Sequence, residues 1–230
     1  MNSFKYRNPG VLVHGINDTG AIFEKMAPYL TQLGWSVYDL DLLPCNGDLG
    51  LDQLGQQVAN YVAATFAPEQ PFDLIGFSMG GIVSRYYVQR LGGIDRVQRF
   101  ITLASPHHGT WVAYLSERPG CLQMRPDSPF LQQLNQDAVM LEQLNFTSIW
   151  TPYDLMIVPA NSSQMEVGKD VQVQVLNHAW MLTDPRSLKV VAAALSEPLK
   201  RGREIASPLE NRQFVHNRNY QKLPQRDGST

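Results

Sequence analysis

The 230-residue sequence contains only two cysteines, Cys45 and Cys121, and neither lies in a CxxC motif or at a zinc-binding spacing with histidine. Because they are far apart in sequence and no secretory signal precedes them, we expect free thiols rather than a disulfide. The five histidines form no HExxH motif. The sequence therefore predicts neither a metal site nor an organic cofactor.

The sequence also has few charges and no long hydrophobic run. Charged residues make up 17% of the chain and the formal net charge is −2, which argues against a protein with a large basic face for nucleic acid. No segment approaches the roughly 20 apolar residues of a membrane-spanning helix. Residues 1–10 lack the apolar core of a signal peptide. We expect a cytoplasmic protein, and nothing here indicates an obligate protein partner.

The charge is unevenly distributed along the chain. Residues 198–230 contain 7 Lys and Arg and 3 Asp and Glu, a net charge of +4, which leaves −6 for residues 1–197. Hydrophobic residues make up 43%, as in an ordinary soluble domain. We predict one folded domain over residues 1–197 and a flexible basic tail over residues 198–230. Such a tail would be attracted weakly to anionic lipid headgroups.

Strand-like and helix-like apolar patterns alternate along most of the chain. This order predicts an α/β fold with a mostly parallel sheet and helices on both faces, in which ligands bind beyond the C-terminal ends of the strands. The last strand alternates strictly and is expected near a sheet edge. The predicted strands are residues 10–14, 35–42, 72–77, 97–104, 146–151 and 171–175, and the predicted helices are residues 22–33, 51–66, 79–91, 130–144 and 185–195.

The segment Gly76-Phe77-Ser78-Met79-Gly80 joins a predicted strand to a predicted helix. It matches the G-x-S-x-G nucleophile elbow, in which a strained turn exposes the serine at the mouth of the sheet. The glycines are needed because a Cβ two residues before or after the serine would clash in so sharp a turn. Ser78 is therefore predicted to be a nucleophile; the alternative is a tight turn with an incidental serine.

The first predicted strand ends in His14-Gly15. In α/β-hydrolases, one amide of the oxyanion hole follows the nucleophile and the other comes from the loop after this strand, which assigns the hole to Met79 and Ile16. Gly15 is expected to let this loop approach the substrate closely. His14 is expected either to hold the loop by hydrogen bonds or to be a plain buried histidine.

Three histidines, His178, His107 and His108, each follow a predicted strand and are candidates for the base. In α/β-hydrolases the chain order is serine, acid, histidine, and among the three only His178 leaves room for an acid before it. His178 is therefore favoured, His107 or His108 is the alternative, and His216 lies in the tail.

Asp154 follows the strand predicted at residues 146–151 and is the candidate acid. It would accept the Nδ1 proton of His178 and fix the tautomer of the ring. Asp170 precedes its strand and so lies at the wrong edge of the sheet, and Asp137 falls within a helical pattern. The alternative for Asp154 is a carboxylate in a solvated loop.

Taken together, the motifs resemble those of the α/β-hydrolase lipases and esterases, above all the small bacterial and cyanobacterial triacylglycerol-lipase-like proteins. The likeness covers residues 10–197 and implies a minimal hydrolase that lacks the usual first two strands. It implies no large separate lid, since only residues 106–145 could cover the site. The motifs that carry it are Val13-His14-Gly15, Gly76-Phe77-Ser78-Met79-Gly80-Gly81, Ala104-Ser105-Pro106-His107-His108-Gly109-Thr110, Asp154-Leu155-Met156-Ile157-Val158-Pro159 and Asn177-His178.

This resemblance implies a serine hydrolase that cleaves esters with apolar acyl groups, such as acylglycerols or membrane glycerolipids. A thioesterase or acyltransferase would use the same triad, and a non-catalytic lipid-binding protein on this fold is the alternative of another class. Trp111 and Tyr114 would form either a rim that receives an acyl chain or touches a membrane surface, or a helix face packed on the core. The candidate pocket residues are His14, Gly15, His107 and Trp111.

Overall fold

The computed structural model of the chain describes residues 7–200. Its central element is a six-stranded sheet in which every neighbouring pair of strands is parallel, as predicted. The strands lie side by side in the order β2-β1-β3-β4-β5-β6. Their bounds are Gly10–Val13 for β1, Val37–Leu40 for β2, Phe72–Phe77 for β3, Val97–Leu103 for β4, Asn145–Trp150 for β5 and Lys169–Gln172 for β6.

Helices cover both faces of this sheet. On one face α2 and α3 pack in a core that includes Val11 of β1. On the other face α1 and α7 pack in a core that includes its neighbour Leu12, because successive strand residues point to opposite faces. The helices are α1 (Met26–Gln32), α2 (Leu51–Thr65), α3 (Met79–Arg90), α4 (Gly93–Arg96), α5 (Pro119–Gln123), α6 (Pro129–Gln136) and α7 (Pro185–Ser196).

The central strands are continuous apolar runs because both of their faces are covered. All six residues of β3 are buried. Its one charged residue, Asp73, accepts a hydrogen bond from Asn8 (3.0 Å) and pairs with Arg99 (3.2 Å) at the N-terminal end of the strand. Burial raises the pKa of Asp73 to about 6, against the opposing attraction of Arg99. This charged pair therefore lies at the N-terminal edge of the sheet, opposite the C-terminal ends of the strands.

Residues 130–144 form two helical segments, where a single helix was predicted. Helix α6 ends at Gln136, and a 3₁₀ segment, Ala138–Gln143, follows. Asp137 at the junction forms an ion pair with Arg90 (2.5 Å). The apolar pattern spans the break because both segments place leucines in the core, which is why periodicity alone did not reveal it.

The final strand lies at the edge of the sheet as predicted, but it begins two residues earlier than the alternating pattern suggested. The ladder with β5 runs over Lys169–Gln172, and the amide of Val173 still donates to Trp150 O (2.8 Å). Between β4 and β5 the described chain carries only the short helices α5 and α6 with 3₁₀ turns. No separate lid domain is present within residues 7–200.

None of the helices within residues 7–200 is both long enough and apolar enough to cross a membrane. That same range holds no group of three or more His, Cys, Asp or Glu side chains arranged to bind a metal. Cys45 and Cys121 are free thiols, which confirms the expectation. The flexible tail and the domain boundary at residue 197 stay predictions, because residues 201–230 lie outside the described part of the chain.

Candidate active site

Ser78 lies in the sharp turn between β3 and α3. Its backbone angles, φ 54° and ψ −125°, are strained for a residue with a Cβ. The Ser78 amide donates to Leu103 O (2.8 Å), and the Gly81 amide donates to Ser78 O (3.0 Å), so hydrogen bonds on both sides hold the strained residue. This places the side chain at the N-terminus of α3, where the helix dipole favours negative charge.

The glycines around Ser78 are required by close contacts between backbones. A methyl group added at Gly76 would lie 2.5 Å from the Gly81 Cα, and one added at Gly80 would collide with the carbonyl oxygens at the end of β1. A third one, at Gly15, would lie 3.1 Å from the Ser78 Cβ. The elbow and the loop after β1 therefore approach as closely as the sequence pattern predicted.

His178 and Asp154 form a hydrogen-bonded pair near this turn. The distance from His178 Nδ1 to Asp154 Oδ2 is 2.7 Å. The other carboxylate oxygen, Oδ1, accepts from the amides of Met156 and Ile157, both at 2.9 Å. Because a carboxylate oxygen accepts, Nδ1 carries the proton and Nε2 of the neutral ring is left as the acceptor.

All three side chains lie at the C-terminal edge of the sheet. Ser78 follows β3, Asp154 follows β5 and His178 follows the segment after β6. The His178 ring packs against Phe77, the residue before Ser78, with 4.7 Å between ring centroids. The His178 side chain is 13% exposed and the Asp154 side chain only 1%, so the histidine is the more solvent-accessible member of the pair.

Two backbone amides near Ser78 are free of helix and strand pairing. Met79 is the first residue of α3, and the first amides of a helix have no partner within it. Ile16 lies in the loop after β1, and this loop is held by a hydrogen bond from the Asn17 amide to Cys45 O (2.9 Å). Both amides therefore occupy the positions at which the sequence predicted an oxyanion hole.

A family model described as palmitoyl protein thioesterase matches residues 9–135 of the chain. That is more than half of the 230 residues, and it runs from β1 into α6 and includes the Ser78 turn. The chain belongs to the palmitoyl protein thioesterase family. Family membership makes it a hydrolase of carboxylic esters or thioesters.

Solved structures agree with the α/β-hydrolase fold. The mature lipase of Bacillus licheniformis is 16% identical, with a TM-score of 0.69 over 84% of this chain and 94% of that chain. Lipase B of Aspergillus fumigatus is 19% identical, with a TM-score of 0.70 over 83% and 53%. An α/β-hydrolase from the metagenome of Mar Chica lagoon sediments in Morocco is 16% identical, with a TM-score of 0.61 over 82% and 90%. At such identities the likeness establishes the fold alone.

His14 holds the loop after β1 in this palmitoyl protein thioesterase family member. Its Nε2 accepts from the Leu42 amide (2.9 Å), so Nδ1 carries the proton and donates to Gly15 O (2.8 Å). The side chain is fully buried. This is the loop-holding role that the sequence suggested, but it departs from the expectation that His14 lines the substrate pocket, because no solvent reaches the ring.

His107 is likewise fully buried, which departs from the expectation that it lines the pocket. Arg85 Nη1 lies 3.3 Å from His107 Nδ1, and His107 Nε2 lies 2.9 Å from Thr102 Oγ1. Since arginine only donates, Nδ1 accepts and Nε2–H donates to the threonine. Burial and, to a smaller extent, Arg85 and His108 hold the pKa of His107 well below its usual range, so the ring stays neutral.

Arg85 is a functional-site neighbour that sequence reasoning missed. It is fully buried on α3 and donates to Asn135 Oδ1 (2.9 Å), Leu134 O (3.0 Å) and Gln89 Oε1 (3.0 Å). Burial lowers the pKa of Arg85 to about 9. Because this value is still above 7, the side chain remains charged at neutral pH. The one available signal was a lone arginine in an otherwise apolar stretch of α3. Its hydrogen bonds to Asn135 and Leu134 fasten α3 to the connection between β4 and β5.

Exposed apolar side chains surround the strand ends, and we call them the apolar rim. Trp111 is 60% exposed, stacks on Tyr114 and is tied by its amide to Val158 O (2.9 Å), beside the Asp154 loop. By contrast, Leu131 and Leu134 of α6 are buried in the core. The apolar rim comprises Trp111, Tyr114, Leu115, Leu155, Leu176 and Trp180.

Proposed function

We propose that the chain is a serine hydrolase that cleaves carboxylic esters with apolar acyl groups through an acyl-enzyme. The single observation that carries this proposal is the Asp154–His178 pair at 2.7 Å, located at the same sheet edge as the strained Ser78 turn. A buried acid, a base with a free Nε2 and a serine at a helix N-terminus are the parts that acyl transfer needs. A lipid-binding protein would need none of them.

In the first half of the reaction, Nε2 of His178 accepts the Ser78 hydroxyl proton while Oγ attacks the ester carbonyl carbon. The amides of Ile16 and Met79 stabilise the resulting oxyanion. Asp154 stabilises the imidazolium through its short hydrogen bond. When the tetrahedral intermediate collapses, the bond to the leaving group breaks, His178 gives that group its proton, and Ser78 is left acylated.

In the second half, His178 removes a proton from water, and the hydroxide attacks the acyl carbonyl. The oxyanion hole is used again. Collapse then breaks the bond to Ser78 Oγ, which recovers its proton from His178, and the free acid departs. Substitution of another alcohol or thiol for the water would make the same residues an acyltransferase.

A second candidate is hydrolysis of thioesters by the same residues, and one observation favours it. The matching family is described by its action on palmitoylated proteins, in which the leaving group is a cysteine thiol. A thiolate is a better leaving group than an alkoxide, so the step that releases it requires less help from His178. The acyl group in this candidate is long and apolar, as in the ester proposal.

The acyl preference tests this proposal directly. We expect kcat/KM for p-nitrophenyl esters to rise about tenfold or more between the acetate and the octanoate, because each buried methylene contributes about 0.8 kcal/mol. Octanoyl thioesters measured by free-thiol release should also be hydrolysed. A preference for acetate would contradict the long-chain assignment and leave a short-chain esterase, and absence of hydrolysis of every substrate would contradict the enzyme proposal.

We also propose that the apolar rim docks the protein on a lipid surface that carries its substrate. Leu155 is 81% exposed and Leu115 is 86% exposed, and a group of exposed apolar side chains is typical of surfaces that bind a partner or a membrane. Leu155 follows Asp154, Leu176 and Trp180 flank His178, and the Trp111 segment is tied to the Asp154 loop through Val158. Docking through this rim would therefore bring the opening of the site to the membrane. The aromatic rings of Trp111 and Trp180 suit the interfacial region of a bilayer.

The double substitution Trp111→Ser and Leu155→Ser should weaken binding to phosphatidylcholine vesicles about tenfold or more, since both side chains would lose apolar burial in the interface. Vesicle co-sedimentation measures this. The matched control is Leu33→Ser, which removes an exposed leucine (42%) after α1, away from the rim. Equal binding by the double variant and the wild type would rule out the rim as the docking surface.

A further inference from the structure

Asp18 places a carboxylate at the opening of the site, and the steps proposed above do not use it. It lies two residues after Ile16 in the loop that follows β1. A methyl group built on Gly15 would lie 3.3 Å from Asp18 Oδ2 and 3.1 Å from the Ser78 Cβ, so one small group would touch both side chains. Asp18 is half-buried, so its carboxylate lies beside the Ser78 turn and is partly shielded from solvent.

The electrostatic surroundings of Asp18 reinforce this position. Burial raises its pKa, while attraction to His14 and His178 opposes that rise, so the carboxylate is coupled to the proposed base. Two more carboxylates lie on the same side: Asp41 Oδ1 accepts from the Gly20 amide (2.7 Å), and the Asp39 side chain is also packed against Gly20. Within residues 7–200 no lysine or arginine forms an ion pair with any of these three.

We propose that Asp18 is a specificity-determining residue that selects neutral or cationic leaving groups over anionic ones. This rests on the proposed function, because it assumes that His178 delivers its proton to a leaving group on its own side of the site. An anionic group held beside His178 would also lie near the Asp18 carboxylate, where partial burial weakens solvent screening and strengthens repulsion. Acyl groups carried on neutral or basic molecules are then the preferred substrates, and coenzyme A thioesters are disfavoured.

The test compares two octanoyl thioesters that differ in the charge of the thiol, octanoyl coenzyme A and octanoyl N-acetylcysteamine. For each enzyme we take the ratio of kcat/KM for the anionic substrate to that for the neutral one. In Asp18→Asn this ratio should rise about fivefold over the wild type, since the repulsion is removed. High salt should raise the wild-type ratio and change the Asp18→Asn ratio much less. A purely structural role for Asp18 would affect both substrates equally.

The matched control is Asp95→Asn, which removes the same charge from an exposed position on α4, before β4 and so at the opposite edge of the sheet. For Asp95→Asn, the ratio of kcat/KM for octanoyl coenzyme A to that for octanoyl N-acetylcysteamine should equal the wild-type ratio. Asp18→Ser and the wild-type salt series provide the same comparison if Asp18→Asn does not fold. An unchanged ratio in a folded, active Asp18→Asn enzyme would overturn this inference and leave the hydrolase proposal standing. If the wild type cleaves neither these thioesters nor p-nitrophenyl esters, the proposed function itself fails.

Discussion

Replacement of Ser78 by alanine should lower kcat on p-nitrophenyl octanoate by about 10⁴-fold or more. Without Oγ no acyl-enzyme can form, and His178 has no nucleophile to deprotonate. Folding should be little affected, because the strained backbone at Ser78 is held by the hydrogen bonds with Leu103 and Gly81, which a change of side chain leaves in place. Steady-state hydrolysis measures the loss, and circular dichroism checks the fold.

A fluorophosphonate probe gives a second readout for the same variant. The wild type should be labelled by loss of fluoride and formation of a bond to Ser78 Oγ, and Ser78→Ala should not be labelled. Ser196→Ala is the matched control, because Ser196 is an exposed serine at the end of α7 whose hydroxyl only donates to Ala192 O (2.7 Å). Labelling or full hydrolysis by a folded Ser78→Ala protein would exclude Ser78 as the nucleophile.

Replacement of Asp154 by asparagine should lower kcat by about 10³–10⁴-fold while the fold survives. The amides of Met156 and Ile157 hold Oδ1, so an asparagine would keep its oxygen there and turn its NH₂ group toward His178. A donor at that position requires Nδ1 to accept, which places the ring proton on Nε2. In that tautomer His178 cannot take the Ser78 proton, so the loss comes from a wrong tautomer rather than from a displaced ring.

Asp170→Asn is the control for this experiment. Asp170 accepts from Trp150 Nε1 (3.1 Å) and Gln164 Nε2 (3.0 Å) on the edge strand, and an asparagine oxygen can accept both bonds. The kcat of Asp170→Asn should stay within about twofold of the wild-type value. Asp154→Asn should keep the wild-type midpoint of urea unfolding to within a small shift. If it retained full kcat, Asp154 would not be the acid that orients the base.

Much of the fold and site was predictable because the relevant signals are local. The elbow depends on glycines at fixed positions around Ser78, and these are required by contacts between backbones that any such turn must make. The order of serine, acid and histidine follows from the sequence of strands, since each residue follows its own strand. Asp170 could be set aside in favour of Asp154 on this ground alone.

The features that sequence reasoning missed depend on partners distant in the chain. Arg85 meets Asn135, 50 residues later, and the two are adjacent only because α3 and α6 pack together. His107 likewise meets distant partners, because its backbone oxygen accepts from Asn135 and its ring lies against Phe146. The interruption of the helical segment at Asp137 also involves a remote partner, because Asp137 forms its ion pair with Arg90. Neither periodicity nor motif spacing contains information about such pairs.

The sequence by itself determined the parallel α/β sheet, the Ser78 turn and the strand ends at which Asp154 and His178 lie, because hydrophobic periodicity and glycine geometry act over a few residues. Only the tertiary structure decided that His14 is fully buried and holds the loop after β1, and that Asp18 lies beside the Ser78 turn. Both features depend on burial and on which side chains the packed chain brings together at the C-terminal edge of the sheet. Burial is a property of the packed chain, and it sets both the exposure of a side chain and the strength of its electrostatic interactions.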